Sequence, residues 1–227
     1  MTPRIVEILY QMIAFLFAIS VHESAHAWTA SRCGDPTARM LGRVSLNPIR
    51  HIDPIGTIVL PLVAAYRFQG LIGWAKPTPV DPRNFRNPVM DDILTSVAGP
   101  VSNFIVATGA LLLLGGISLS SASGHALVMG LASSFGGAAS DSVLAPVAVL
   151  LYALMIINIW LAVFNLIPVP PLDGSHVLRH FLPDSARMVF DRIGIFALLA
   201  LVFLAPRLLN SLIDPPVNFY RSILVKF

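Results

Sequence analysis

The sequence predicts an all-α polytopic membrane protein of about four transmembrane helices, with a short re-entrant segment and a few short β-strands. Three observations carry that expectation. Of the 227 residues, 56% are hydrophobic and 12% charged, and mean hydropathy is +0.76. Soluble domains carry roughly 25% charged residues. Apolar runs at 5–30, 93–119, 143–167 and 193–213 are each long enough to cross about 30 Å of hydrocarbon as a helix. Most basic residues, finally, sit in the segments between the runs, where topology signals belong.

The basic residues order the runs. Arg32, Arg39, Arg43 and Arg50 follow the first run, Arg67, Lys76, Arg83 and Arg86 precede the second, and Arg179, Arg187 and Arg192 precede the fourth. Segment 120–142 has no lysine or arginine. A further apolar run, 55–66, is only a dozen residues long and contains Pro61. If it dips in and returns, all three basic segments share one side, which the positive-inside rule makes cytoplasmic. The N-terminus then lies outside. Segments 44–46 and 73–76 are expected to be short strands, and 214–227 an amphipathic stretch at the interface.

Composition also excludes function classes. The net charge of +3 comes without a basic, aromatic-interleaved patch of the kind nucleic acid needs. A lone cysteine, Cys33, rules out an internal disulfide and a cysteine-rich zinc module. No tandem repeat or long linker divides the chain, so 1–227 is expected to be one membrane-embedded domain.

His22-Glu23-Ser24-Ala25-His26 closes the first run and fits H-E-x-x-H. Residues i and i+4 share a helix face about 6 Å apart along the axis, so two imidazoles can converge on one ion. Glu23, beside the first ligand, can take a proton from metal-bound water. Ionisable groups at membrane depth are expensive and point to a purpose. Other readings are a signal peptide cleaved after Ala25-His26-Ala27, or hydrogen-bonded structural histidines without metal.

Catalytic zinc usually has three protein ligands and an open position. The best candidate for the third is Asp173, in Asn165-Leu166-Ile167-Pro168-Val169-Pro170-Pro171-Leu172-Asp173-Gly174 after the third run. That run ends on the same side as His22 and His26, and its prolines break the helix so that the chain can turn back. Asp173 could instead cap the following helix, and His176 is a rival ligand. His51 and His125 read as solvated loop residues, and His180 as interfacial.

Asn165-x-x-Pro168-x-Pro170-x-x-Asp173-Gly174, paired with the intramembrane H-E-x-x-H, resembles the site-2 protease family of membrane-embedded zinc metalloproteases. Gly99-Pro100-x-x-Asn103 is similar to that family's middle core helix. The resemblance implies His22, His26 and Asp173 as ligands of Zn2+ and Glu23 as general base. It places Asn103 and Asn165 near the active site, in substrate or transition-state contacts. It further implies a transmembrane protein as substrate and a multi-pass location in the cell membrane. The helical rise from Ile5 to Val21, roughly 25 Å, places the active site near the cytoplasmic side. The chain is expected to be a compact form without the PDZ or nucleotide-sensing domain of many relatives. Two other functions use the same His, His, Asp cluster: a membrane metal carrier, which should show a repeat and midplane ligands, and a non-catalytic metal-binding scaffold.

Overall fold

A computed structural model describes residues 3–68, 73–133 and 143–227. Three long helices form its centre: α1 (Pro3–Cys33), α4 (Pro88–Ser120) and α6 (Ala145–Asn165), each packed against the other two. These three have the length and apolar character to cross a membrane; α8 (Asp184–Leu204) and α9 (Pro206–Leu224) make a fourth if taken together.

Side-chain periodicity explains how α1 packs. Met12, Phe15, Ile19, His22, His26 and Ala30 are buried at spacings of three and four, so the two histidines share the inward face. Ile5, Leu9, Ile13 and Phe17 point outward, as lipid contact requires. Small buried residues at the crossings (Ala14, Ala18, Ala107, Ala110, Ala162) let the backbones approach. The N-terminus of α4 is closed by reciprocal bonds: the Asn87 side chain accepts from Met90 N–H, and Asp91 Oδ2 accepts from Asn87 N–H.

The apolar core fills one half of the bundle. It is built from Leu111 and Leu114 of α4, Leu131 of α5 (Ala122–Ser133), Tyr152 and Met155 of α6, and Ile213 of α9. Buried polar side chains, among them His22, His26, Asn103 and Asn158, gather in the other half.

Several expectations are corrected. No strand occurs among the described residues. Residues 44–46 lie in a loop, and 73–80 is extended without a ladder partner. Its inward N–H groups go to the carbonyls of Gly56 and His51 and to a side chain, while Pro77 and Pro79 have none to give. The 55–66 segment lies within a wide-turned helix, Pro54–Val59, running into α3 (Leu60–Phe68), and the apolar stretch 54–64 is too short to cross. The fourth run is broken: Pro206 starts a new helix after Ala205, and α8 and α9 meet at 82°. In 214–227, Val217 and Leu224 enter the core, while Phe219 and Val225 stay exposed. Part of the lysine- and arginine-free segment, 134–142, lies outside the described residues; the rest is the end of α4 and α5.

Candidate active site

His22 and His26 lie one turn apart near the C-terminal end of α1, with their Nε2 atoms 3.0 Å from each other. Asp173 is the first residue of α7 (Asp173–Arg179), and its Oδ2 is 3.1 Å from His22 Nε2 and 3.4 Å from His26 Nε2. It makes no capping bond. The chain brings it there through the turns after Asn165. Gly174 is required at the next position because a Cβ would overlap the Leu166 carbonyl at the end of α6.

The protonation pattern of the two rings follows from one carbonyl. Leu154 O can only accept, so it takes Asn158 Nδ2–H and turns Asn158 Oδ1 toward Asn103 Nδ2, 2.7 Å away. Asn103 Nδ2 also donates to Ala18 O, leaving Asn103 Oδ1 to face His22 Nδ1 at 2.6 Å. That nitrogen therefore carries the proton. His26 Nδ1 likewise donates to Thr95 O at 2.7 Å. In the neutral rings both Nε2 atoms are then bare acceptors aimed at each other and at Asp173 Oδ2, which is buried with no hydrogen bond. Three acceptors in mutual contact repel one another unless a cation lies among them.

The spacing fits zinc. Ligand atoms at 2.0–2.1 Å around a tetrahedral ion lie about 3.3 Å apart, and the observed triangle has edges of 3.0, 3.1 and 3.4 Å. Among the described residues, no other His, Cys, Asp and Glu group offers three such atoms. The helix behind the site is shaped to it as well: a Cβ on Gly99 would overlap His26 Nε2 and His22 Cε1.

The site opens into a cavity of about 830 Å³ lined by Glu23, Asn165 and the extended segment at Trp74, Pro77 and Thr78. Its far wall is α8, through Leu198 and Val202. Glu23 Oε2 accepts two hydrogen bonds from Thr78. Asn165 lines the cavity while its Nδ2 donates to Leu161 O. Asn103 is fully buried, its amide committed to His22, Asn158 and Ala18.

The remaining histidines fall elsewhere. His176, the rival ligand, faces Asp92 with Nδ1 3.6 Å from Oδ1, and His180 Nε2 lies 2.7 Å from Asp92 Oδ2. Asp92 thus ties α7 to α4. His51 is not solvated: it is fully buried with Nε2 against Ser45 O at 2.8 Å, and its carbonyl accepts Lys76 N–H. His125, in α5, pairs with Ser118 Oγ at 3.0 Å.

Sequence reasoning missed Asn158, Thr78 and Asp92. Asn158 had a readable signal, an amide inside an apolar run. Thr78 and Asp92 carry none, since their partners are distant in the chain.

Helices of spanning length that meet around three metal-fitting acceptors, with a carboxylate beside them, define the class: a membrane metallopeptidase. Comparison then gives the family. The sequence profile of peptidase family M50 matches residues 10–205, and the chain belongs to that family, which is that of the site-2 protease. It is a membrane zinc metalloprotease. YwhC of Bacillus subtilis, provisionally named a zinc metalloprotease, is 33% identical over 219 residues, 96% of this chain and 90% of the relative. Rip2 of Mycolicibacterium smegmatis, named in the same way, is 27% identical over 175 residues, 76% of this chain and 58% of its own length. Rip2 of Mycobacterium tuberculosis is 29% identical over 202 residues, 86% of this chain and 66% of its own length. No solved structure matches the chain.

Proposed function

We propose that the chain is an intramembrane endopeptidase, one membrane-embedded domain in which His22, His26 and Asp173 hold zinc and Glu23 is the general base. The observation that carries this reading is the triangle of bare acceptors opening onto a cavity that Glu23 also lines. Zinc held there supplies Lewis-acid polarisation of a carbonyl and lowers the pKa of water. Glu23 accepts the water proton on its carboxylate and delivers it to the leaving amine nitrogen. Asn165 contacts the substrate from the cavity wall, and Asn103 acts through His22.

The substrate is a transmembrane segment of another membrane protein. Its amides are satisfied within its own helix, so it must unwind locally before a carbonyl can reach the site. Pairing of the unwound stretch along 73–80 is limited on the outward edge: of the outward positions 75, 77 and 79, Pro77 and Pro79 offer no N–H, which leaves Ala75. The site lies at the end of α1 that runs into Arg32, Arg39, Arg43 and Arg50, which favours the cytoplasmic side.

The test is Glu23→Gln in the purified full chain, reconstituted with a single-span substrate. The amide keeps shape and hydrogen bonding but cannot accept the proton. Turnover should fall by at least the roughly 10²–10⁴-fold typical of general-base catalysis, with zinc stoichiometry unchanged. Full cleavage by zinc-loaded Glu23→Gln protein excludes this mechanism, and zinc flux through vesicles that the variant leaves intact would favour a carrier.

A further inference from the structure

We propose that Thr78 is the positioning residue for Glu23, holding one carboxylate oxygen so that the other remains for the water proton. The inference rests on the reading of Glu23 as general base. Thr78 donates to Glu23 Oε2 twice, from its backbone N–H at 2.9 Å and from its hydroxyl at 2.7 Å. The hydroxyl also lies 3.1 Å from Glu23 O, but its single proton goes to the nearer, charged oxygen.

The sequence around Thr78 prepares this contact. In an extended chain alternate N–H groups point the same way. Trp74 N–H goes to Gly56 O and Lys76 N–H to His51 O, so the next inward donor is Thr78 N–H. Pro77 and Pro79 flank it. Proline fixes its own φ and biases the residue before it toward extended backbone. Lys76-Pro77-Thr78-Pro79 therefore holds an extended strap whose one N–H over 77–79 meets Glu23. Arg43, itself buried, braces the strap through the carbonyls of Lys76 and Pro77 at 3.4 Å. Asp35 Oδ2 holds its far end through Asp81 N–H at 2.8 Å.

A glutamate side chain has three rotatable bonds, and on a helix surface it would sample them. Two donors on one oxygen remove that freedom. Glu23 Oε2 is occupied, and Oε1 is the oxygen left for water.

Thr78→Val removes the hydroxyl and keeps shape and backbone, while Thr78→Ser keeps the hydroxyl and drops the methyl. A hydrogen bond to a charged group is worth roughly ten- to a hundredfold. Thr78→Val should therefore lower kcat by about that factor, with KM and zinc content near wild type, and Thr78→Ser should restore kcat to within about threefold. A second readout does not depend on turnover. The chain has only two glutamates, Glu7 and Glu23, so 13C-glutamate in a Glu7→Gln background reports Glu23 alone by infrared spectroscopy. Its carboxylate stretch should shift in zinc-free Thr78→Val protein and stay in place in Thr78→Ser. Wild-type kcat in Thr78→Val, equal losses in the valine and serine variants, or an unmoved carboxylate band would each overturn the proposal. If Glu23→Gln is inactive while Thr78→Val is fully active, only the role of Thr78 fails; if Glu23→Gln cleaves, the general-base reading fails with it.

Discussion

Asn103 Oδ1 meets His22 Nδ1 at 2.6 Å, and the same side chain reaches Asn158 on a third helix. α4 therefore orients a ring carried by α1, and α6 fixes the amide that does so. Partners of this kind set the tautomer and angle of a metal-bound imidazole, and losing one typically lowers metal affinity 10–100-fold. Asn103→Ala should weaken zinc binding by about that factor in competition with a chelator. It also strips Asn158 Oδ1 of a donor, so some loss of stability should accompany it. Unchanged zinc affinity would make Asn103 a packing residue only.

Gly99 and Gly109 lie on the same helix and predict opposite outcomes. A Cβ at Gly99 overlaps both imidazoles, whereas one at Gly109 has nothing within 4 Å. Gly99→Ala should abolish stoichiometric zinc and proteolysis while the protein still inserts. Gly109→Ala should keep both and lose nothing in thermal stability, since alanine is the better helix former. Zinc analysis of the two purified proteins decides it. Equal behaviour would mean that α4 can retreat from the site.

His176 and Asp173 sit three residues apart in α7, but only Asp173 faces the histidine pair. Asp173→Ala should cut zinc content and activity together. His176→Ala should keep most of the zinc, because Asp92 retains its shorter contact with His180. The reverse pattern would move the third ligand to His176.

The parts of this arrangement that were legible in sequence are those set by local spacing or composition. Four apolar runs announced the helices, and i, i+4 spacing placed His22 beside His26. The prolines after Asn165 announced a chain reversal that could return Asp173. What failed depends on where hydrogen bonds go. Segment 73–80 is extended and looks like a strand, but proline at alternate positions and side-chain acceptors leave it without a ladder. The run 193–213 is apolar but for Arg207, Asn210 and Ser211, and hydropathy is blind to the break that Pro206 introduces. His51, polar and loop-borne in sequence, is buried, and the strap lies across its carbonyl. Thr78 and Glu23 are 55 positions apart, and no periodicity connects them.

Basic residues on one side of the bundle predict which face is cytoplasmic. In a Cys33→Ala background, single cysteines at Arg39, Arg83 and Asp184 should react with an impermeant thiol reagent from the cytoplasm only. One at Ser123, exposed beside the buried Gly124, should react from outside. Labelling of Arg39 and Arg83 from opposite sides would mean that the 54–68 helical segment crosses the membrane.

Asp35 links the end of α1 to the far end of the strap that holds Glu23, which makes the strap sensitive to acid. The side chain is fully buried and accepts from Thr37, from Asn84 Nδ2 at 2.9 Å and from Asp81 N–H at 2.8 Å. Burial pushes its carboxyl pKa up. The Thr37 hydroxyl, Asp81 N–H, Asn84 and Thr37 N–H outweigh burial and hold it below the usual 3.8. A folded-state pKa lower than the unfolded one stabilises the fold fully above the unfolded value, and the effect is lost as pH falls through the folded one. The strap should therefore be indifferent to pH from neutrality down to about 4 and loosen below that. Hydrogen exchange of 73–81 measures it. Asp35→Asn should loosen the same segment already at neutral pH, because its NH2 group must face a donor at either Asp81 or Thr37. Loss of such a buried bond is worth about 1–3 kcal/mol. Unchanged protection of 73–81 in Asp35→Asn would show that Arg43 and Glu23 hold the strap without Asp35.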